Sequence, residues 1–351
     1  MADIDLQMNA ANENSCVMFT IWEGILPELK KHAMSYFDGE TLFRYSQCSK
    51  ICNNMEVQKF DKNPPSLLLI RTSNSKQISV YLSYPINGIM YQIGARFVNT
   101  EENRHRWTMT SLSKYCMLND WRLPRLAERV FETGPTTTYE GTAAEGATKY
   151  LERRFRNVNM QKLRISIWTI LWPTELENFL RRFHGSYWTL ALTENVYNGF
   201  MAFAGNQRER MRICFCETYR TGNRKFSLPP RFFNSSLYKN LELFECFNDN
   251  TISDDEFLNS KANHFTIRTS SISDEAINQK LLKWFNGKSQ ETHIQINGPP
   301  NEQKFYDRHT IMSGIPFHNI SENSYTVKRR NDVSTGRLEF DNNSVHFRYP
   351  A

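Results

Sequence analysis

The sequence of 351 residues lacks the short motifs that indicate common catalytic chemistries. It contains no HExxH pair for zinc, no glycine pattern of the Walker or GxGxxG type for a nucleotide, and no GxSxG elbow for a serine nucleophile. Its eight histidines are scattered along the chain. We therefore expect neither a metal nor another cofactor.

The chain also lacks long hydrophobic runs. The longest apolar stretches, such as residues 165–172, fall far short of the ~20 residues that a membrane-spanning helix needs. Residues 1–15 are polar and acidic, without the basic start and apolar core of a signal peptide. We expect a soluble protein of the cytoplasm or the nucleus that makes no membrane contact.

The chain also has few cysteines and a small net charge. Seven cysteines, an odd number, favour reduced thiols over a disulfide framework. The pairs Cys48-x₃-Cys52 and Cys214-x-Cys216 lack the second pair and the histidines of a zinc site. The net charge of +6 arises from 43 basic and 37 acidic residues with both signs interspersed, so no nucleic-acid partner is expected.

What the chain does contain is a recurrence. Residues 180–185 (LRRFHG) resemble residues 282–287 (LKWFNG), and alternating apolar pairs recur from residue 158 onward at intervals within the ~20 to 29 residues of leucine-rich-repeat units. The pairs are Leu163/Ile165, Leu190/Leu192, Ile213/Phe215, Leu241/Leu243, Phe265/Ile267 and Ile294/Ile296. We predict an irregular array of alternating strands and helices. The alternative is an ordinary α/β domain whose units have similar lengths.

Helix signals lie between these pairs. Residues 173–183 begin with proline, and residues 273–285 begin with a serine cap followed by two acidic residues. Both stretches stop at a glycine, which favours the left-handed conformation that ends many helices. The acidic residues 254–256 are predicted as the first turn of another helix. In the stretch 273–285, Trp284 or Phe285 is expected to face the strands.

The segment before the array is predicted to be strand-rich. Residues 67–70, 78–82 and 89–93 alternate or cluster as strands of a meander, separated by turn residues. Residues 133–149 contain few large apolar side chains and are predicted to form a surface loop. At the other end, the alternating runs within 325–349 are predicted to cap the open end of the array.

Residues 19–57 are predicted to form a small helical unit. It has a Leu26-Pro27 opening, a helical stretch at 29–37, an Asp38-Gly39 turn, a central Leu42 and a polar ending at 46–50. A unit of ~40 residues buries too little apolar surface to be stable alone. We therefore expect a partner or a neighbouring domain to cover its apolar face.

These features resemble a known family. The opening, the central leucine and the Ser46-x-x-Ser49-Lys50 ending resemble the F-box. Residues 263–267 (NHFTI), 272–287, 312–317 (MSGIPF) and 325–329 (YTVKR) are similar to the F-box-associated domain of nematode F-box proteins.

The resemblance implies a particular division of the chain. Residues 1–17 would be a disordered tail, residues 18–60 the F-box, and residues 61–157 the strand-rich middle segment. Residues 158–351 would form the F-box-associated domain, so that the fold combines a short helical F-box with an α+β or α/β array.

The resemblance also implies a function. The chain would be the non-catalytic substrate-recognition subunit of a Skp-cullin-F-box ubiquitin ligase, binding the Skp-type adaptor, and through it the cullin, by its F-box. Motif match assigns the adaptor contact to Leu26, Pro27, Leu42, Ser46 and Ser49. The alternative is a non-catalytic interaction module whose vestigial F-box recruits no ligase.

A second contact, with an unknown protein substrate, is expected on the array. Strand residues that alternate with buried ones should form a solvent-facing row, which either binds the substrate or is plain solvated surface. The row comprises Arg164, Ser166, Arg212, Cys214, Glu242, Thr266, Arg268, His293 and Gln295.

Overall fold

A computed structural model describes part of the chain. The described residues are 65–74, 76–86, 89–101, 104–116, 137–155, 163–169, 171–183, 187–205, 211–216, 226–330 and 334–349. Leu26, Pro27, Leu42, Ser46 and Ser49, with the rest of the predicted F-box, lie outside them. Residues 84–86, 89–92 and 112–116 belong to one compact unit, in which they are extended, and the other described residues belong to a second.

The described strands form one 15-stranded sheet. Its strand order is β12-β13-β14-β15-β11-β10-β9-β8-β7-β6-β1-β2-β3-β4-β5. The strands are β1 Leu67–Asn74, β2 Gln77–Ile86, β3 Ile89–Glu101, β4 Arg104–Cys116, β5 Thr137–Glu140, β6 Arg164–Thr169, β7 Tyr187–Ala191, β8 Arg212–Cys216, β9 Leu243–Asp249, β10 His264–Arg268, β11 His293–Asn297, β12 Phe317–Ser321, β13 Ser324–Lys328, β14 Thr335–Asp341 and β15 Ser344–Arg348.

The helices of the described residues lie mostly between consecutive parallel strands. They are α1 Ala143–Arg154, α2 Glu177–Leu180, α3 Glu194–Ala204, α4 Pro230–Phe233, α5 Ser236–Lys239, α6 Asp254–Asn259, α7 Asp274–Phe285 and α8 Arg308–Met312, with a 3₁₀ turn at Thr174–Leu176. None of these helices is long and apolar enough to cross a membrane.

The centre of the sheet is a parallel array. Strands β6 to β11 are neighbours in chain order, and β1 continues the parallel pairing next to β6. On one face, two residues of each array strand are buried: Ile165/Ile167, Trp188/Leu190, Ile213/Phe215, Phe244/Cys246, Phe265/Ile267 and Ile294/Ile296.

Aromatic side chains from the helices pack on this face. The ring of Phe232 on α4 lies 5.6 Å from Phe215 and 5.9 Å from Phe244, and Phe257 on α6 lies 5.2 Å from Phe265. Burying each large apolar side chain contributes about 1.5–3 kcal/mol, so the helix-facing side of the array holds the core.

The predicted strand pairs are confirmed for β8, β10 and β11. In β6 and β7 the buried pairs lie two residues along the strand from the predicted ones and on the same face, whereas in β9 the predicted frame is wrong and Leu243 lies on the opposite face from Phe244 and Cys246. Leu163, Leu192 and Leu241 lie just outside these strands yet are at most 2% exposed. Loop residues next to the strands are also buried. Apolar residues therefore continue beyond the strand ends, and the sequence does not show where the alternating part begins.

The helix signals at 254–256 and 273–285 are confirmed. Ser253 and Glu256 form a capping box on α6, and the Ser273 side chain accepts a hydrogen bond from Ala276 N on α7. Gly287 follows α7 with a φ of 72°, in the left-handed region. The stretch 173–183 is helical only from Thr174 to Leu180.

The loop predicted at 133–149 is wrong over most of its length, because β5 and α1 occupy 137–140 and 143–154. Thr142 and Glu145 form a capping box that starts α1. The small residues that suggested a loop instead allow close packing, since a Cβ on Gly146 would overlap the ring of His105.

The predicted meander and end strands are confirmed as β1–β3 and β13–β15. Because β1 pairs with β6 in parallel register, the sheet continues across the boundary predicted between residues 157 and 158. At the other end, β15 pairs antiparallel with β11.

Candidate binding surface

The face of the array opposite the helices carries mainly polar side chains, and we call it the polar face. It consists of two rows of residues placed side by side by the strand register. The first row is Arg164, Tyr187, Arg212, Leu243, His264, His293 and Arg348, and the second is Ser166, Thr189, Cys214, Glu245, Thr266, Gln295 and His346.

The structure places most of the predicted contact residues on this face. Arg164, Ser166, Arg212, Cys214, Thr266, His293 and Gln295 belong to the two rows. Glu242 precedes β9 and accepts a hydrogen bond from Arg212 Nε at 3.2 Å. Arg268 ends β10, beyond the two rows.

The expectation that all of these residues face solvent is wrong for three of them. Ser166, Cys214 and Thr266 are 5%, 2% and 2% exposed. They lie in the second row, where short side chains are covered by longer ones on the same face. Trp168 illustrates this, because its indole N–H donates to Ser166 Oγ at 2.6 Å.

A buried carboxylate organises the centre of the polar face. Glu245 is 2% exposed, and its Oε2 accepts a hydrogen bond from the Tyr187 hydroxyl at 2.6 Å. Its Oε1 lies 2.9 Å from His264 Nε2, within ion-pair distance although not aligned as a hydrogen bond. Burial raises the pKa of Tyr187, so the phenol remains a donor to Glu245.

Three imidazoles extend this group across β10, β11 and β15. The rings of His264 and His293 stack at 4.0 Å with an angle of 9° between them, and His346 meets His293 edge-on at 4.6 Å. Arg348 Nε donates to His346 Nε2 at 2.7 Å. These six residues come from both rows. We call the group formed by Tyr187, Glu245, His264, His293, His346 and Arg348 the polar ladder.

The ladder keeps His293 neutral. Burial is the largest cause, and the neighbouring His264, His346 and Arg348 add to it, lowering the pKa of His293 from 6.5 to about 3. As the pH falls, the unfolded chain therefore takes up this proton before the folded chain does. The folded state loses stability from about pH 6.5 downward until the folded pKa is reached.

Replacing His293 by glutamine is expected to flatten this acid sensitivity. One proton of difference changes the free energy of unfolding by ~1.4 kcal/mol per pH unit, so the natural protein should lose about 2 kcal/mol more than His293→Gln between pH 7 and pH 5. Urea unfolding at several pH values measures this difference. His318→Gln on the exposed strand β12 is the matched control, and equal slopes for all three proteins would contradict the prediction.

Arginine side chains flank the ladder. The Arg164 guanidinium lies 4.5 Å from the centre of the Tyr187 ring, and the Arg212 side chain is 55% exposed beside Glu242. Arg348 is also exposed. Guanidinium groups are well suited to a protein interface, since they combine planar stacking with several hydrogen-bond donors.

The Cys214 thiol of β8 is held in its protonated form. Cys214 Sγ and Cys216 Sγ lie 3.4 Å apart and both are buried. The hydrogen bond with Cys216 and burial raise the pKa of Cys214, and the thiolate is the nucleophilic and metal-binding form. Among the described residues no three His, Cys, Asp or Glu side chains are grouped as a metal ion would require.

Sequence reasoning identified only His293 among the six ladder residues. Glu245 was missed because the predicted frame of β9 was off by an odd number of residues, which places it on the wrong face. Tyr187 and His264 are the first residues of β7 and β10, outside the predicted alternating pairs. His346 and Arg348 belong to a strand that the sequence suggested only as a cap. Their signal was the alternation in 344–348, with the apolar residues on one side and the polar ones on the other.

Comparison with known proteins finds no matching family model, no matching curated protein and no matching solved structure.

Proposed function

We propose that the chain is the substrate-recognition subunit of a Skp-cullin-F-box ubiquitin ligase. Its leucine-rich-repeat-like array binds a protein substrate, and Leu26, Pro27, Leu42, Ser46 and Ser49 contact the Skp-type adaptor. The observation that carries the proposal is the polar ladder, with Arg164 and the exposed Arg212 beside it, on the face of the array opposite the helices. The adaptor contact is supported by the sequence resemblance alone.

The ladder favours recognition because its members hold one another in place. Glu245 fixes Tyr187, stacking fixes His264 and His293, and Arg348 fixes His346. A partner that binds such a surface orders few additional side chains, which lowers the entropic cost of association. The exposed Arg212 and Arg348 supply the charged contacts that guide a partner to it.

The second candidate is an interaction module with a vestigial F-box. It shares the polar face and differs only in adaptor binding. The two functions therefore make the same prediction for the array and opposite predictions for the N-terminal unit.

Changing Leu26 and Pro27 together to alanine is expected to weaken adaptor binding about 30-fold or more. Central apolar contacts of an interface cost 2 kcal/mol or more on truncation, which is about a 30-fold loss of affinity. Binding of the purified full chain to a purified Skp-type adaptor, followed by titration calorimetry, measures the effect.

The control variant carries Arg164→Ala, Arg212→Ala and Arg348→Ala on the polar face. It should bind the adaptor like the natural chain and lose other partners after purification from cells. Adaptor binding that never occurs, or that survives the change at Leu26 and Pro27, would favour the vestigial module.

A further inference from the structure

A cleft lies at the edge of the sheet where β10 and β11 end. Its volume is about 650 Å³, within the range of ~300 to 1,000 Å³ typical of ligand sites. Carboxyl ends of parallel strands are a common place for binding sites. The lining residues are Arg268, Asn297, Gly298, Pro300, Asn323, Asp341, Asn342, Asn343 and Ser344.

One asparagine connects two of the segments that line this cleft by hydrogen bonds. Asn343 in the β14–β15 turn accepts from Lys304 N at its Oδ1, at 3.1 Å, and donates from its Nδ2 to Pro299 O at 3.0 Å. Its main-chain oxygen accepts from Gly298 N at 2.7 Å, and a Cβ on Gly298 would overlap its side chain. The loop after β11 is thus tied to the β14–β15 turn, and the cleft is preformed.

A lysine fixes the same loop from the other side. Lys304 Nζ donates to Ser270 O at 3.1 Å and also to Ile272 O, both in the connection between β10 and α7. Two independent sets of bonds therefore hold residues 298–304 against the end of the sheet. A ligand entering this cleft meets walls that need little ordering.

The chemistry offered by the cleft is mainly that of carboxamides. Asn297, Asn323 and Asn342 line it, and among the described residues the side chains of Asn323 and Asn342 make no hydrogen bond. The charges are balanced, because Arg268 lies 3.9 Å from Asp249 and Asp341 also lines the cleft. Such a lining suits a neutral polar ligand better than an anion.

A carboxamide both donates and accepts, as does every peptide group of an extended chain. We propose that this cleft holds an extended segment of the protein partner through its main chain, with Asn297, Asn323 and Asn342 as the contacting side chains. The inference rests on the proposed role of the chain as a partner-binding receptor. It adds that part of the partner is bound as an unfolded strand and not as a folded surface.

The test starts from a phage library of random 16-residue peptides selected on the full-length protein. Selected peptides are synthesised, and their affinities are measured by fluorescence polarisation. Changing Asn297, Asn323 and Asn342 together to alanine is expected to weaken binding about tenfold or more, since three hydrogen-bonding groups are lost. The matched control changes Asn240, Asn263 and Asn319, which are exposed elsewhere in the same unit.

A second measurement separates main-chain from side-chain recognition. Methylating single peptide nitrogens removes one donor at a time, and at least two central positions should weaken binding about tenfold. The proposal fails if no peptide is selected, if the triple variant binds as tightly as the natural protein, or if N-methylation has no effect. The adaptor takes no part in these assays, so their failure is distinct from a failure of adaptor binding.

Discussion

Replacing Glu291 by alanine is expected to lower the free energy of unfolding by about 3 kcal/mol, because it leaves a charge buried without its counterion. Lys280 on α7 is 2% exposed, and its Nζ lies 3.3 Å from Glu291 Oε1. The ammonium also donates to Ser260 O at 2.6 Å. Urea denaturation at pH 7 measures the loss.

The loss should depend on pH with a definite sign. Burial lowers the pKa of Lys280, whereas Glu291 acts to raise it, so the pKa falls further when Glu291 is absent. Between the lowered pKa of Lys280 in the folded variant and its ordinary pKa, the unfolded chain binds a proton that the folded chain does not bind. Its stability should therefore recover as the pH rises toward the ordinary lysine value of 10.5.

Two further variants control for this result. Lys283 is exposed on the same helix, and Lys283→Met should change stability by less than about 0.5 kcal/mol. The double change Lys280→Met with Glu291→Leu removes both charges and should be more stable than Glu291→Ala. A deficit below about 1 kcal/mol for Glu291→Ala would show that water or another group compensates the lysine.

Replacing Trp284 by alanine is expected to cost about 3–5 kcal/mol, the range for large aromatic side chains in a core. Trp284 is 1% exposed and joins α7 to the C-terminal strands, with its ring 4.7 Å from Phe347 and 5.7 Å from Tyr349. Gly336 leaves room for the indole, because a Cβ at this position would come within 3.1 Å of it.

The adjacent residue provides the comparison. Phe285 is only half-buried, so Phe285→Ala should cost clearly less than Trp284→Ala in thermal unfolding followed by circular dichroism. Equal losses would mean that α7 is held by its whole apolar surface and not by the tryptophan. Loss of a single cooperative transition in Trp284→Ala would show that the strands β13–β15 unfold separately.

The positions of several strands and of α7 were predictable because their signals are local. Alternation in 265–267 and 294–296 and the serine cap at 273 depend only on neighbouring residues, and each is found where the sequence places it. The choice between Trp284 and Phe285 was not decidable, because it depends on the exact rotation of α7 against strands more than 50 residues away in the chain.

The polar ladder was harder to predict for a different reason. His264, His293 and His346 come together only through the pairing of β10 with β11 and of β11 with β15, which alternation within a single strand does not encode. The loop predicted over α1 failed because glycine and alanine signal flexibility in isolation and close packing in a fold. In both cases the missing information was the identity of the neighbouring element.

The chain order of β6 to β11 also affects how the protein is made. As the chain leaves the ribosome, each strand from β7 to β11 can pair with the strand synthesised just before it, so the array can grow at one edge. That growing edge is covered only when β15 pairs with β11, after β12, β13 and β14 have been synthesised. A chain terminated before Ser344 would expose the main-chain groups of β11, a template for association with other chains.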